Sequence, residues 1–439
     1  MIDSLVAHSG RLERRPGLLA AAKLANVALA MAWGFVVTFV FVRLLPIGEF
    51  RAFLVLVAFT NFTVSAELGL SSIVYSRLRR ARVAGEGDFR NEEISALAWT
   101  MTGIVLIGGA LLGVAMATGL VETGRPVLFL AFYGVTAVNL LAVLARRALA
   151  ALDHNLWWEM LDLVRRLSGI ALLLAALGGL PLLDSVLIQL AIALLMLWLG
   201  VSTVHRTLGM PAAAWLGVGR GAAHIRRHYL ADFSRTGALT LFDVAAYNAP
   251  YFTIAAATQD PRPLLLFDFA FKLSRALSAT IRALTETALP GLTRAWFARD
   301  EAALRGGMRR WLIRSLGMTA AAVIVLLAAG RGLADLLFDG RMIPAWIELG
   351  AILVLLCGLA MMCASIYLQN GLGRFGALVP PSFLFLLASL LSVPLALALA
   401  DRTGWSFAMA FIILYAAVHV ALGFVHARML AGLPREQPT

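Results

Sequence analysis

The sequence predicts an all-α polytopic membrane protein of about twelve transmembrane helices in two pseudo-symmetric six-helix lobes. Three observations carry this. Of 439 residues, 61% are apolar and only 14% are charged, and the mean hydropathy is +0.84. Long apolar runs recur from residue 17 to residue 427, several exceeding the ~20 residues that a helix needs to cross a bilayer. Arginines collect in alternate connections between those runs. Helices that satisfy their own backbone hydrogen bonds and pack on one another are the structure such a chain can adopt in lipid.

The spans fall at 17–45, 49–76, 94–119, 126–146, 156–179, 183–204, 232–258, 264–290, 311–330, 346–370, 376–400 and 405–427. Breaks at Pro46, Gly124-Arg125-Pro126, Gly178-Gly179-Leu180-Pro181, Pro261-Arg262-Pro263 and Gly371-Leu372-Gly373 punctuate them. The polar start with Arg11, Arg14 and Arg15 leads into an apolar run too long for a signal peptide, so the first span is read as retained. One set of connections holds those arginines, then Arg77, Arg79, Arg80, Arg82 and Arg90, Arg146 and Arg147, Arg206 to Arg227, Arg294 to Arg310, Arg374, Arg428 and Arg435. The opposite set holds Arg51, Arg125, Arg262, Arg331, Arg341 and Arg402. The richer side is expected in the cytoplasm, with both termini, which requires an even number of spans. Span 264–290 carries five charges and has a second reading as a surface helix. Without its crossing, the arginines of 294–310 would face outside.

Residues 205–231 form the longest connection on the basic side and mix Trp215, Ile225 and Tyr229 with Arg220, Arg226 and Arg227, the pattern of an interfacial helix. They separate an N-terminal lobe, 1–204, from a C-terminal lobe, 232–439. Charged stretches at 76–93 and 293–311 occupy similar places in the two halves. Six crossings return the chain to the same side, so the repeats would be parallel.

Ionisable groups at membrane depth are costly and face a cavity or a partner. In span eight, Asp268, Lys272, Arg275, Arg282 and Glu286 share one side of a helix. Asp268–Lys272 and Arg282–Glu286 have the i,i+4 spacing of ion pairs, and Arg275 has no acid at that spacing. Span seven offers Asp232, Thr236, Asp243, Tyr247 and Pro250 on one side, the proline freeing a carbonyl. Span one adds Lys23, Asn26 and Trp33, span two Asn61, Ser65 and Glu67, span five Asp162, Arg165 and Arg166. Two readings stand side by side: internal pairs that hold helices together, or a cationic cavity whose guanidinium groups grip an anion.

Other chemistry is excluded or weak. The chain lacks phosphate-loop, nucleophile-elbow, zincin and Rossmann patterns, so an enzyme is not expected. The net charge of +12 is assigned to loops facing anionic headgroups, not to nucleic acid. His224 and His228 are four apart but have no acidic companion, so no metal is expected. His419 and His426 fall near the inner end of the last span. Asp88, Glu92 and Glu93 suit a helix start. Cys357 and Cys363 are six apart and project to different sides of one helix, against a disulfide.

Residues 43–77, RLLPIGEFRAFLVLVAFTNFTVSAELGLSSIVYSR, resemble the opening of the Wzx-type polysaccharide flippases, a branch of the multidrug/oligosaccharidyl-lipid/polysaccharide (MOP) exporter superfamily. Arg43, Leu44, Leu45, Glu49 and Phe50 match the family's first turn, and Glu67, Leu68, Gly69 and Leu70 the segment after it; Pro46 and Arg51 replace glycines. YNAPYFTIAAA, LFDFAFKLSRAL and TETALPGLTRAW are similar in layout to the second half. The resemblance implies two lobes around a central cavity lined by helices one, two, seven and eight. It implies alternating-access flipping of a polyprenyl-pyrophosphate-linked oligosaccharide across the bacterial inner membrane.

On that reading Lys272, Arg275 and Arg282, with Lys23, bind the substrate anion. Asn26, Asn61, Glu67, Asp243, Tyr247, Asp268 and Glu286 are cavity-polar or coupling residues. No cofactor is expected beyond a gradient of H+ or Na+. The expected partners are the lipid-linked oligosaccharide, membrane lipids, a polysaccharide polymerase and glycosyltransferases. Two alternatives are carried: a cation-coupled multidrug exporter of the same superfamily using Asp243 and Asp268, and a non-transporting scaffold of a polysaccharide-synthesis complex.

Overall fold

The computed structural model describes residues 16–83 and 89–433. Arg11, Arg14, Arg15, Asp88 and Arg435 lie outside the described residues, as do the side chains of Arg80, His228, Asp232 and Thr236. Fourteen described helices follow in order. They are α1 (Pro16–Leu44), α2 (Ile47–Ser65), α3 (Leu70–Val83), α4 (Asn91–Ala117), α5 (Pro126–Ala151), α6 (Asn155–Leu177) and α7 (Leu182–Leu208). Then come α8 (Ala212–Leu216), α9 (Val218–Ala257), α10 (Arg262–Phe297), α11 (Glu301–Phe338), α12 (Trp346–Gly371), α13 (Phe375–Thr403) and α14 (Phe407–Gly432). None of the described residues lies in a strand.

Twelve of these helices have 19 residues or more, and each overlaps one of the twelve expected spans. Nine are long and apolar enough to cross a membrane by length and composition: α1, α2, α4, α5, α7, α11, α12, α13 and α14. The other three long helices, α6, α9 and α10, carry most of the charges expected at membrane depth. Bulky apolar side chains stay exposed in stripes, such as Leu384, Leu387, Leu391 and Leu395 on α13 and Ile324, Val325 and Leu327 on α11. Apolar surface of that extent belongs against lipid chains. The protein is a multi-pass membrane protein.

Two expected elements are built differently. The run 49–76 is two helices, because Leu68 and Gly69 take φ values of +48° and +84°. The Glu67 carboxylate then accepts the Ser71 N–H, 3.2 Å away, at the start of α3. Glu67 therefore caps a helix at a break instead of standing in mid-span. The connection 205–231 and span seven are also not separate. After the short α8, one helix of 40 residues, α9, runs through both, about 60 Å long. Pro250 sits inside it and cannot donate to the carbonyl of Ala246. Ser389 of α13 donates its hydroxyl to that oxygen instead, at 2.5 Å.

The chain divides into two compact units, residues 1–241 and 242–439. In the first, α5 is the buried centre, with Phe129, Phe132 and Leu140 at 0–2% exposure. Phe41 of α1 stacks on Phe53 of α2 at 4.1 Å, and Phe132 meets Phe53 edge-on at 4.8 Å. In the second, α12 and α14 approach to backbone contact. A Cβ added at Gly423 would lie 3.0 Å from the Gly358 carbonyl oxygen, and one at Gly358 would strike the backbone of His419 and Val420. Close approach at small residues is how helices gain packing energy where apolar burial drives nothing.

Candidate intramembrane site

In the second unit, α9 and α10 bring the predicted charges into two groups of different character. The first is closed. Asp268 is fully buried; it accepts the Tyr251 hydroxyl at 2.7 Å and is ion-paired to Lys272, one turn along α10. Lys272 itself is only 11% exposed. The whole start of α10 is enclosed, with Phe267, Phe269 and Phe271 packed against Tyr251 of α9, Phe338 of α11 and Phe411 of α14. A buried carboxylate whose lone pairs are taken by a phenol and an ammonium is a structural element.

The second group is open. Asp243 of α9 is half-buried and forms no ion pair among the described residues. Ser382 of α13 lies beside its carboxyl, and Tyr247, Cys363 and Tyr367 lie within its electrostatic reach. The Tyr367 hydroxyl meets the Ser278 hydroxyl at 2.6 Å, and the Arg282 guanidinium stands 6.0 Å from the Tyr367 ring centre. Tyr247 packs edge-on against Phe385 at 4.9 Å. A carboxylate with hydroxyl neighbours and no ammonium or guanidinium partner is equipped to take a proton or a small cation.

The stripe of span eight is therefore not one uniform ladder. Its first two members are sealed inside the unit, while Arg275, Arg282 and Glu286 are exposed. Arg282 and Glu286 pair at 3.1 Å, both more than half exposed. Arg275 forms no ion pair among the described residues; its guanidinium lies 5.7 Å from the Phe271 ring centre.

The predicted residues of the first unit are elsewhere in kind. Lys23 is exposed on α1, whereas Asn26, three residues on, is 6% exposed and donates to the Glu159 carboxylate at 2.6 Å and to its carbonyl at 2.9 Å. The two do not share a site. Arg146 completes that network at 3.2 Å from Glu159. Asn61 is half-buried on α2. Asp162 is held by Arg165 at 2.6 Å and Arg166 at 2.9 Å. Arg165, Arg166, Trp33 and Asn139 line a small cavity of about 70 Å³. His224 meets Glu93 at 3.1 Å, and His419 and His426 are buried in α14. Cys357 is exposed and Cys363 buried, on different sides of α12.

Sequence reasoning missed Tyr251, Glu159, Ser278 and Tyr367. Each acts across helices, and only Tyr251 had a signal: it follows Asp243 and Tyr247 at four-residue steps on α9.

No protein-family model matches the chain, and no curated protein does. Solved structures do. A eukaryotic MATE transporter, AtDTX14, is 13% identical, with 98% of this chain and 99% of that one covered, at a TM-score of 0.61. The fold is MATE-like. An outward-facing multidrug resistance MATE family transporter of the MOP superfamily is 12% identical over 95% of this chain and 96% of its own, with a TM-score of 0.62. The Vibrio cholerae MATE transporter VcmN in the bent form is 14% identical over 98% of each chain, at 0.58. At such identities the likeness is one of fold, and it extends over nearly the whole chain. One of these neighbours is named as a member of the MOP superfamily, the one that the 43–77 resemblance suggested, and none is named as a Wzx flippase.

Proposed function

We propose that this chain is a cation-coupled exporter of small amphipathic or cationic molecules, with Asp243 as its coupling carboxylate. The observation that carries the reading is the state of the two acids on α9 and α10. Asp268 is committed to Tyr251 and Lys272, so it is not available for coupling. Asp243 retains an unpaired carboxyl among hydroxyl groups. The MATE-like fold supports the same reading by analogy. The chain would work in the bacterial inner membrane with its arginine-rich loops in the cytoplasm.

The test is transport in proteoliposomes of a fluorescent cationic dye, driven by an imposed H+ or Na+ gradient. Asp243→Asn should lower gradient-driven uptake by at least about tenfold and leave passive dye binding in place. Undiminished coupling in that variant would sink the assignment.

One observation favours a second reading, the flipping of a polyprenyl-pyrophosphate-linked oligosaccharide. Arg275 is an exposed guanidinium with no carboxylate in ion-pair reach among the described residues, suited to a phosphate fork. On this reading Arg275→Ala abolishes translocation of a labelled lipid-linked oligosaccharide, and a polymerase and glycosyltransferases become its partners. Dye transport with no oligosaccharide translocation would remove it.

A further inference from the structure

The first half of α11 and the second half of α10 enclose a groove of about 320 Å³ in the second unit. Its floor is opened by Gly291 and Gly307, and its walls are Leu284 and Leu292. Arg310 and Arg314 of α11, one turn apart in sequence, line it as well, with Trp311. Both arginines are exposed, and neither forms an ion pair among the described residues. Of the acids on these two helix segments, Glu286 is held by Arg282 at 3.1 Å and Glu301 by Arg305, and Asp300 caps the start of α11 by accepting the Ala303 N–H at 2.8 Å. Trp311 is 3% exposed, and its indole N–H finds no acceptor among the described residues. The groove thus combines a greasy interior with two unmet cations and an unmet donor in its wall.

Its level in the bilayer follows from α11. That helix has 38 residues, about 57 Å, nearly twice the ~30 Å hydrocarbon thickness. Its stretch without a charged residue, 315–330, begins just after Arg314. Arg310 and Arg314 therefore straddle the boundary between headgroups and acyl chains, where a long basic side chain reaches phosphate while its stem stays in apolar surroundings.

We propose that this groove is a binding site for one anionic phospholipid, with the headgroup phosphate between Arg310 and Arg314 and the start of an acyl chain against Leu284 and Leu292. Charge complementarity selects the lipid. A zwitterionic headgroup brings its own cation to the two guanidiniums, and a soluble phosphate leaves the apolar walls unused. The proposal is independent of which substrate the protein exports.

The experiment titrates the full-length protein, in a neutral detergent, with brominated phosphatidylglycerol. The fluorescence of Trp311 is isolated as the difference between the wild type and Trp311→Phe. Trp311 should be quenched at far lower lipid fractions with phosphatidylglycerol than with brominated phosphatidylcholine. Arg310→Gln with Arg314→Gln should raise the half-quenching concentration roughly 10- to 30-fold. Gly291→Leu gives a second handle, because a Cβ at Gly291 meets nothing within 4 Å; the added side chain fills the groove and should abolish quenching without altering the melting temperature. Equal quenching by the two lipids overturns the proposal. So does quenching unchanged in both variants, or displacement of the brominated lipid by equimolar inorganic phosphate, which would assign the arginines to a soluble anion.

Discussion

Lys272 and Arg282 stand ten residues apart on one side of one helix, yet removing them should have different consequences. Lys272→Ala strands the fully buried Asp268 with only the Tyr251 hydroxyl for company, and should cost about 3–5 kcal/mol. Arg282→Ala breaks a pair whose members are 59% and 64% exposed, and should cost no more than ~1 kcal/mol. Thermal unfolding of the two variants in detergent measures the contrast. Adding Asp268→Asn to Lys272→Ala should restore a good part of the loss. The i,i+4 spacing made the pair legible in the sequence, and so was the lack of any such partner for Arg275. The burial was not. It depends on Phe338 and Phe411, which arrive from helices far along the chain, and periodicity along one helix carries no information about them.

At the scale of the helix, apolar periodicity located all twelve long helices, because in lipid an apolar run has few alternatives to α-helix. Interruptions were harder to read. The α2–α3 break lies in a stretch that continues the apolar run, and its two left-handed residues include a leucine, which sequence statistics would not choose for that conformation. Gly69→Val should cost about 1–2 kcal/mol of strain, read as a lowered melting temperature. The α12–α14 contact gives a harsher prediction. Gly358→Val drives a side chain into the backbone of His419 and Val420, and should destabilise the unit by several kcal/mol or prevent its folding. Retention of wild-type melting by that variant would contradict the close packing described for the pair.

For the whole molecule, the weakest inference from composition is that α10 crosses the membrane. Its charges keep it out of the set of helices apolar enough to span. Its 36 residues are long enough to cross, and the sealing of Asp268 and Lys272 inside the unit takes two of its five charges away from lipid, while Arg275, Arg282 and Glu286 stay exposed. Cysteines at Gln259 and Ala298, in a background lacking Cys357 and Cys363, check this. A membrane-impermeant maleimide applied to intact cells should label the first and not the second. Equal labelling of both would return α10 to the membrane surface and break the even count of crossings. The apolar runs foretold the twelve long helices; the sorting of the charges of α9 and α10 into closed and open groups needed three dimensions.

The serine that bonds beside Pro250 has a consequence for heredity. Ala246 is fully buried, and Ser389 supplies the hydrogen bond that its oxygen cannot take from Pro250. Ser389→Ala alone strands that oxygen, whereas Pro250→Ala alone supplies a new backbone donor and makes the serine redundant. Either change alters the fitness of the other, so an ancestral lineage could acquire the proline safely only after the serine was already there. A double-mutant cycle on melting temperature should show the pair to be strongly non-additive, which would make two residues 139 positions apart one locus of selection.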